Sequence, residues 1–556
     1  MPARPAGRQM WRVLLLLLAA AAAELLPTDP GLPIEARAHA VIRAPDAAAA
    51  AAIAAAVGGA VVRASAVPGH FLAEMHADRP AHPAVAYVTE ALAPLARTLG
   101  TRPDIPVPFA ARDAAAPDWT LAVLNARAAW NVSVGAGAVV VTPDCGADWT
   151  HPDLARVDGA HALNAVEPAA TALPTPTETH GTMVASTVVA ADDGVCGTGV
   201  APGAAVVPVR LLVAGAGLSS THIAEALVYA PTGPVAAVSN SWGPNDYAPH
   251  IFALDSVVRG ALAALAARNT TLLFAAGNGA AYGDHASNDG FASSRHTLAV
   301  GALGHDGRAA AYTEAGAVAV CAPSSNDYVG VTAAVPGGMC TDAFGGTSAA
   351  APQIAGVVAL LRPAPGAPPL TPADVLDVLV RAAQANLRAV AAAEPMLRNG
   401  AGLYYSPRLG FGAPDAAAAV ALAANRTRRW APVTVAAPLA AARPLPYGAG
   451  AFDAAVAANG TVLWAAAVLG LELGTCTMAQ VHAVALESPA GTVAQVYARS
   501  PLFSTHTLTE HELPTRAFHG ERAAGTWKVH IDHACPKSVV VVAAARVELY
   551  MVADAN

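Results

Sequence analysis

Three short segments of the sequence carry side chains that could perform nucleophilic catalysis. Asp144 ends an apolar stretch, His180 precedes Gly-Thr-Met, and Ser348 lies between Gly-Gly-Thr and Ala-Ala-Ala-Pro. A serine attacks a carbonyl carbon when an imidazole takes its proton and a carboxylate orients that imidazole. Asn278, after a further apolar stretch, adds an amide suited to stabilising an oxyanion. Each residue alone has an ordinary explanation as a cap or turn residue, so the prediction depends on their joint occurrence.

The elements that position these residues read as an α/β unit from about Trp119 to Ala424. Short apolar strands alternate with helical stretches, and apolar residues on both faces of a strand indicate a parallel sheet covered by helices. Thr371-Pro-Ala-Asp374 has the capping residue, first-turn proline and first-turn acid that begin a helix. The clearest predicted strands are 138–142, 206–209, 235–240, 272–276 and 298–300.

The two ends of the chain read differently from this middle unit. Residues from about 30 to 112 suggest a small α/β unit with a strand at His39–Ile42, a helix capped by Asp46, and a proline-rich linker. From about Trp430 onward the helical periodicity disappears, which predicts a β-sandwich. Its clearest strands are 481–486, 525–531 and 539–550.

Composition and the N-terminus bear on where the protein works. The 556 residues carry a net charge of −8, which gives no electrostatic footprint for nucleic acid. Arg4, Arg8 and Arg12 precede eleven apolar residues, 13–23, too few to span a bilayer, so 1–23 is predicted to be a signal peptide and not an anchor. Six cysteines fit an oxidising compartment. Four glycosylation sequons, compatible with this route, start at Asn131, Asn269, Asn425 and Asn459.

Further motifs extend the match beyond the four candidate residues. With His151-Pro-Asp-Leu, the stretch 194–201 and Ser241-Trp-Gly-Pro, the chain resembles the subtilisin-like serine proteases and, within them, the kexin/furin-type proprotein convertases. The resemblance implies a subtilisin-like parallel sheet with helices on both faces at 113–428 and a β-sandwich P domain at 429–556. It also implies an α/β propeptide with linker at 24–112. The catalytic triad would be Asp144, His180 and Ser348, with Asn278 as the oxyanion donor.

The resemblance also suggests a substrate preference. Asp246 and Asp289 match positions that bind a basic P1 side chain, although both could be solvated loop acids. Cys145 and Thr177 stand where furin-type enzymes carry acids for a basic P2 residue, and Glu225 is what remains of the P4 subsite. We therefore expect cleavage after a single Arg or Lys, with weaker upstream selection.

Structural ions and a disulfide are implied in the same way. Oxygen ligands suit Ca²⁺, and one calcium site would use Asp246, Asp284 and Glu314. A second would use Asp153 and Asp193 and the carbonyls of Val195 and Gly197, with Asp113 as a further candidate ligand. Cys196 and Cys340 fall where the family forms a disulfide. The pairing of Cys476 with Cys535 stays open, and Cys145 and Cys321 have no assigned partner.

The sequence thus predicts a secreted, calcium-dependent serine endopeptidase that processes proproteins through an acyl-enzyme. Its partners would be polypeptide substrates and its own propeptide as an intramolecular inhibitor, and a monomer is expected. Two alternatives stay open at this point. One is a broad-specificity subtilase, and the other is a catalytically silent relative that serves as a binding scaffold.

Overall fold

The computed structural model describes four strands near the start of the chain and most of residues 118–554. The early strands are 38–43, 59–64, 70–75 and 87–89. The proposed signal peptide, the helix expected after Asp46 and the linker lie outside the described residues, as does Asp113. Within 118–554 the undescribed residues are 214–215, 230–233, 247–250, 327–328, 362–367, 391–393, 427–428, 440–442, 446–447, 475, 499–506 and 536–540.

The early strands form an antiparallel sheet of their own. Its strands are β1 (Ala38–Arg43), β2 (Gly59–Ala64), β3 (His70–Met75) and β4 (Tyr87–Thr89). They lie in the order β2-β3-β1-β4. The strand expected at His39–Ile42 is therefore confirmed, within β1.

The middle of the chain is built on a seven-stranded sheet in the order β11-β10-β9-β8-β5-β7-β6. Every pairing in it is parallel, and its strands are buried along nearly their whole length. This confirms the parallel sheet predicted from strands that are apolar on both faces. The strands are β5 (Val139–Asp144), β6 (Leu163–Asn164), β7 (Ala205–Arg210), β8 (Ala237–Asn240), β9 (Thr271–Ala275), β10 (Thr297–Leu303) and β11 (Val318–Pro323).

Helices accompany this sheet, and one of them is buried along its whole length. That helix, α7, is rich in alanine and valine and packs against β8, β9, β10 and β11, which explains why it has no polar face. The capping box predicted at Thr371 and Asp374 begins α8. The helices are α1 (Trp119–Val123), α2 (Ala126–Ala129), α3 (His180–Val189), α4 (Ser220–Val228), α5 (Ser256–Ala267), α6 (Gly290–Ser293), α7 (Thr347–Leu360), α8 (Pro372–Ala385) and α9 (Ala416–Ala424).

Two short hairpins lie within the middle unit, one before α7 and one between α8 and α9, and the C-terminal region consists of two antiparallel sheets. One sheet has the order β16-β24-β19-β22, with β17 also paired to β24, and the other has the order β18-β23-β20-β21. The hairpins are β12 (Val331–Val335) with β13 (Met339–Phe344) and β14 (Leu397–Arg398) with β15 (Tyr404–Tyr405). The C-terminal strands are β16 (Val433–Pro438), β17 (Arg443–Pro444), β18 (Gly448–Val456), β19 (Gly460–Glu472), β20 (Val481–Glu487), β21 (Val493–Ala498), β22 (Thr507–Thr515), β23 (Gly525–His533) and β24 (Val541–Ala553).

The predicted change from helical to β-structure near Trp430 is confirmed. Large side chains at the centre of these strands are buried, among them Trp464, Trp527 and Tyr497. In the described part of the chain, no helix combines the length and apolar character needed to cross a membrane.

Candidate active site

The carboxylate and the imidazole meet where β5 ends and α3 begins. Nδ1 of His180 lies 2.9 Å from both Oδ1 and Oδ2 of Asp144, and the Asp144 side chain is buried. Gly181 makes this approach possible because a Cβ there would collide with the carbonyl oxygen of Gly146. Phe344 packs edge-on against the His180 ring at 5.7 Å between ring centres. The imidazole is therefore held in one orientation by a carboxylate and by an aromatic neighbour.

The serine lies in the first turn of α7. Gly346 precedes this helix with φ of 71°, a conformation that favours glycine. Oγ of Ser348 donates to the carbonyl of Ser241 at 3.2 Å, and Oγ of Ser241 donates to the carbonyl of Ser348 at 2.9 Å. The next residue, Trp242, donates from Nε1 to the carbonyl of Pro143 at 3.0 Å. The Ser-Trp-Gly-Pro motif thus links the serine to the strand that carries Asp144.

The amide of Asn278 lies beside the serine. Its Oδ1 accepts hydrogen bonds from the backbone N–H of Thr347 at 2.8 Å and from the Thr347 hydroxyl at 3.1 Å. Its Nδ2 lies 3.4 Å from Oδ2 of Asp246, which is a long contact. Because Thr347 occupies the amide oxygen, Nδ2 is the group that can donate to an oxyanion next to Ser348.

Four acids, which we call the cleft acids, gather around Asn278. Gly277 and Gly279 leave room for Glu314, since a Cβ at either glycine would crowd its carboxylate. Glu314 is buried and the other three are half-buried, so neither Asp246 nor Asp289 is a freely solvated loop acid. Oδ1 of Asp289 accepts a hydrogen bond from the backbone N–H of Phe291 at 2.8 Å. The cleft acids are Asp246, Asp284, Asp289 and Glu314.

Burial raises the pKa of all four cleft acids, and the charges of neighbouring carboxylates raise it further in Asp284, Asp289 and Glu314. Burial, followed by the charge of Asp246, raises the pKa of Asp284 to about 7. Burial, followed by the charges of Asp284 and Asp246, raises the pKa of Asp289 to about 7. The same causes raise the pKa of Glu314 well above its usual range. Such a group is stabilised by a cation, whether a bound ion or a basic side chain of a substrate.

A second acidic position lies in the segment between β5 and α3. Asp153 is fully buried, and neither oxygen of its carboxylate has a hydrogen-bond partner among the described residues. Burial, and then the charge of Asp193, raises the pKa of Asp153 to about 7. Oδ1 of Asp193 accepts from the backbone N–H of Val195 at 3.0 Å. A buried carboxylate without donors fits a bound cation at this position.

Comparison with known proteins decides the family. The model of the subtilase family matches residues 135–412, half of the chain. The chain belongs to the subtilase family. Its middle unit is accordingly that of a subtilisin-like serine endopeptidase. This chain is 34% identical over 325 residues to a mouse proprotein convertase subtilisin/kexin type 4, and the match covers 56% of this chain and 48% of that protein.

Other relatives of this subtilase agree with that match. It is 34% identical over 310 residues to the dibasic-processing endoprotease of Schizosaccharomyces pombe, covering 54% of this chain and 43% of that protein. It is 28% identical to endoprotease aex-5 of Caenorhabditis elegans, covering 73% and 74%. A serine protease of Aeromonas sobria, solved with its chaperone, has the same fold with a TM-score of 0.66 and 20% identity, covering 76% and 89%. The chain spans about half the length of the convertases it matches most strongly.

The cysteines of this subtilase fall into three situations. Cys196 and Cys340 form a disulfide, as the resemblance implied. Cys145 and Cys321 are buried thiols, and burial, followed by the charge of Asp144, raises the pKa of Cys145 well above its usual range. That shift favours Cys145 as a small buried side chain over a reactive thiol. Cys535 and Cys476 lie within hydrogen-bonding reach of each other and are not joined by a disulfide.

For the remaining predicted site residues, the structure gives the position and burial but no contact that indicates a role. Glu225 is buried on α4, and Thr177 is exposed in the loop before His180. Among the described residues, no group of three or more His, Cys, Asp or Glu side chains is arranged so that it could hold a metal ion. The calcium ligands, which the family resemblance implies, are therefore a proposal that the burial and charge of these acids support.

Sequence reasoning missed one charged residue of the site. Arg210 ends the apolar strand β7, in register with Asp144, and is buried. Its guanidinium binds the loop that leads to His180. The signal in the sequence was an arginine at the end of an otherwise apolar strand, a position where a charge needs partners.

Proposed function

We propose that this subtilase is a secreted, calcium-dependent serine endopeptidase that processes proproteins by cleaving after Arg or Lys. The observation that carries the proposal is the combination of an Asp144–His180 pair with half-buried acids beside Ser348. The first supports acyl transfer, and the second supports recognition of a basic P1 residue. The relatives are named as convertases and a dibasic-processing endoprotease, which supports the processing role.

The reaction follows from the positions of the side chains. Oγ of Ser348 leaves the Ser241 carbonyl and attacks the scissile carbonyl carbon while His180 takes its proton. Asp144 holds the proton on Nδ1 and stabilises the imidazolium. The backbone N–H of Ser348 has no acceptor within the helix and donates to the oxyanion with Nδ2 of Asn278. His180 then protonates the leaving amine, and water hydrolyses the acyl-enzyme.

The P1 specificity is argued from charge. Asp246 contacts Nδ2 of Asn278, and Oδ2 of Asp289 faces Gly243, so both carboxylates flank the route to Ser348. A guanidinium or ammonium group entering between them would be paired in a partly desolvated site. The acids expected at the second subsite are absent at Cys145 and Thr177, which supports weak P2 selection. Glu225 would contribute to the P4 subsite.

Calcium is proposed because the acidic residues fit it. Asp246, Asp284 and Glu314 would hold one ion, and the partnerless carboxylate of Asp153 with Asp193 would hold another. A bound Ca²⁺ supplies positive charge that offsets the repulsion between carboxylates. Asp113 remains a proposed ligand outside the described residues.

The secretory setting is proposed from sequence. Residues 1–23 have the form of a signal peptide, and 24–112 would act as an intramolecular inhibitor until cleaved. Three of the four sequon asparagines, Asn131, Asn425 and Asn459, are exposed, which is compatible with glycosylation.

The test is hydrolysis of fluorogenic peptides by the mature protein with calcium. Peptides would carry Arg, Lys, Leu or Phe at P1. We expect turnover after Arg and Lys that is lost in Ser348→Ala and kept in Ser488→Ala, a control at a buried serine of the C-terminal region. Preference for Leu or Phe would replace basic specificity by broad specificity. Absence of turnover after confirmed removal of 24–112 would favour a silent scaffold.

A further inference from the structure

Arg210 stands next to the catalytic carboxylate and belongs to neither the triad nor the cleft acids. It ends β7, and its backbone pairs in register with Asp144 of β5. Only 8% of its side chain is exposed. A buried guanidinium requires partners for its donors, so its contacts show what it holds.

The guanidinium binds both segments that flank the Asp144–His180 pair. Nη1 donates to the carbonyl of Cys145 at 2.9 Å and to the carbonyl of Leu173 at 2.8 Å. Nη2 donates to Oε1 of Glu178 at 3.1 Å, and Nη1 lies 2.8 Å from Oε2. Cys145 follows Asp144 directly, and Glu178 stands two residues before His180. One side chain therefore joins the residue after the catalytic acid to the residues before the catalytic imidazole.

Glu178 is an acid that directly follows Thr177, one of the two positions where the second-subsite acids are missing. It is adjacent to Thr177, and its carbonyl lies 3.7 Å from Sγ of Cys145. Its carboxylate also accepts the backbone N–H of Thr175 at 2.8 Å. Bonds from Thr175 and Arg210 outweigh burial and keep the pKa of Glu178 below its usual value. The acid is thus ionised, and its charge is matched by the guanidinium.

We propose that Arg210 is a positioning residue for the Asp144–His180 pair and that its ion pair withdraws Glu178 from substrate. The second subsite is then electrically neutral although it contains an acid. This inference rests on the proposed function, because it concerns the P2 preference of the same peptidase. Weak P2 selection would then have two causes. The acids expected at Cys145 and Thr177 are absent, and the charge of Glu178 is paired with Arg210.

Two variants separate the positioning role from the charge-pairing role. Arg210→Gln frees Glu178, and we expect the ratio of kcat/KM for P2 Arg over P2 Ala to rise roughly five-fold, the upper end of what a single solvent-exposed ion pair contributes. Glu178→Gln leaves the guanidinium anchored by two carbonyls, and we expect the ratio to fall by a similar factor. The double variant should return to the unaltered ratio.

The positioning role has its own measurement. Arg210→Lys keeps the charge but loses the planar fork that reaches three partners. We expect kcat for the P2 Ala peptide to fall at least about ten-fold with little change in KM. Arg426→Lys, at a half-buried arginine with two carboxylate partners, is the matched control and should leave kcat and the P2 ratio unchanged.

The affinity of the same peptides in the Ser348→Ala background completes the test. If peptides bind with the expected changes in P2 ratio but the parent protein does not cleave them, the proposed function fails and the subsite assignment stands. Equal P2 ratios in all variants, measured by turnover or by affinity, would overturn the assignment. If Arg210→Gln does not fold, Glu178→Gln alone decides, and an unchanged ratio there would also overturn it.

Discussion

Two groups of acids in this subtilase are at least partly buried, and their surroundings shift their pKa values in opposite directions. The cleft acids repel one another, and their pKa values are raised. The second group, which we call the helix acids, is Asp374 and Asp377 on α8. Arg426 bonds to both at 2.7 Å, and His519 lies 3.3 Å from Asp377. Burial alone would raise the pKa of Asp377, but His519 and two arginines lower it well below its usual range.

The difference separates structure from function. The helix acids have their cations within the protein, so they serve to join α8 to the segments that carry Arg426 and His519. The cleft acids repel one another and are best neutralised by positive charge from outside the chain. A cluster such as the cleft acids, which has no cation of its own, destabilises the folded protein unless a cation binds, and for that reason it indicates a candidate binding site.

The largest expected effect concerns the helix acids. Arg426→Gln would leave two buried carboxylates without their main partner and should lower the free energy of unfolding by about 3–5 kcal/mol. Urea denaturation measures the loss. Among molecules that remain folded, P1 preference should not change, and a changed preference would show that the two groups are not separate.

The next effect concerns the cleft acids. Asp289→Asn should lower kcat/KM for P1 Arg peptides by about 30-fold to several thousand-fold, because removing one partner of a desolvated charge pair costs about 2–5 kcal/mol. Stability without calcium should not fall, since the change removes a repelling charge. Asp306→Asn, at an exposed acid, is the control. Equal losses of stability in Asp289→Asn and Arg426→Gln would erase the distinction between the groups.

Calcium removal is expected to have an intermediate effect. At one hundred times its dissociation constant, an ion that binds only the folded state adds about 2.7 kcal/mol to the free energy of unfolding. Unfolding followed with calcium and with a chelator measures this difference. Glu314→Gln should reduce it, whereas Asp306→Asn should not, and no response to calcium in the unaltered protein would remove the ion from the proposal.

The smallest effect, counted per titrating group and per pH unit, is the dependence of stability on pH without calcium. Asp284 and Asp289 have pKa values of about 7 when folded, against about 4 when unfolded. The folded state therefore holds more protons between pH 4 and 7, and its stability should fall as pH rises through that range. The slope would be at most about 1.4 kcal/mol per pH unit for each proton. The lowered pKa of Asp377 acts oppositely, with stability lost on acidification below about pH 4.

Much of the fold could be predicted from local pattern. The parallel strands were recognisable because burial on both faces requires continuous apolar residues, and the start of α8 followed from the capping box at Thr371 and Asp374. The pair Asp144 and His180 could be anticipated because both end or begin an element. The partners of Arg210 could not, since Cys145, Leu173 and Glu178 reach it only after β5, β7 and the loop before α3 have packed.

The types and order of the candidate catalytic side chains therefore followed from the sequence and its resemblance to a known family, and the strands that carry them followed from apolar runs along the chain. Only the tertiary structure decided which charges are paired. Asp289 and Asp377 are both acids beside helices in the sequence, yet one faces other carboxylates and the other faces Arg426 and His519. Their pKa values and roles depend on distances between residues far apart in the chain, and no local pattern encodes those distances.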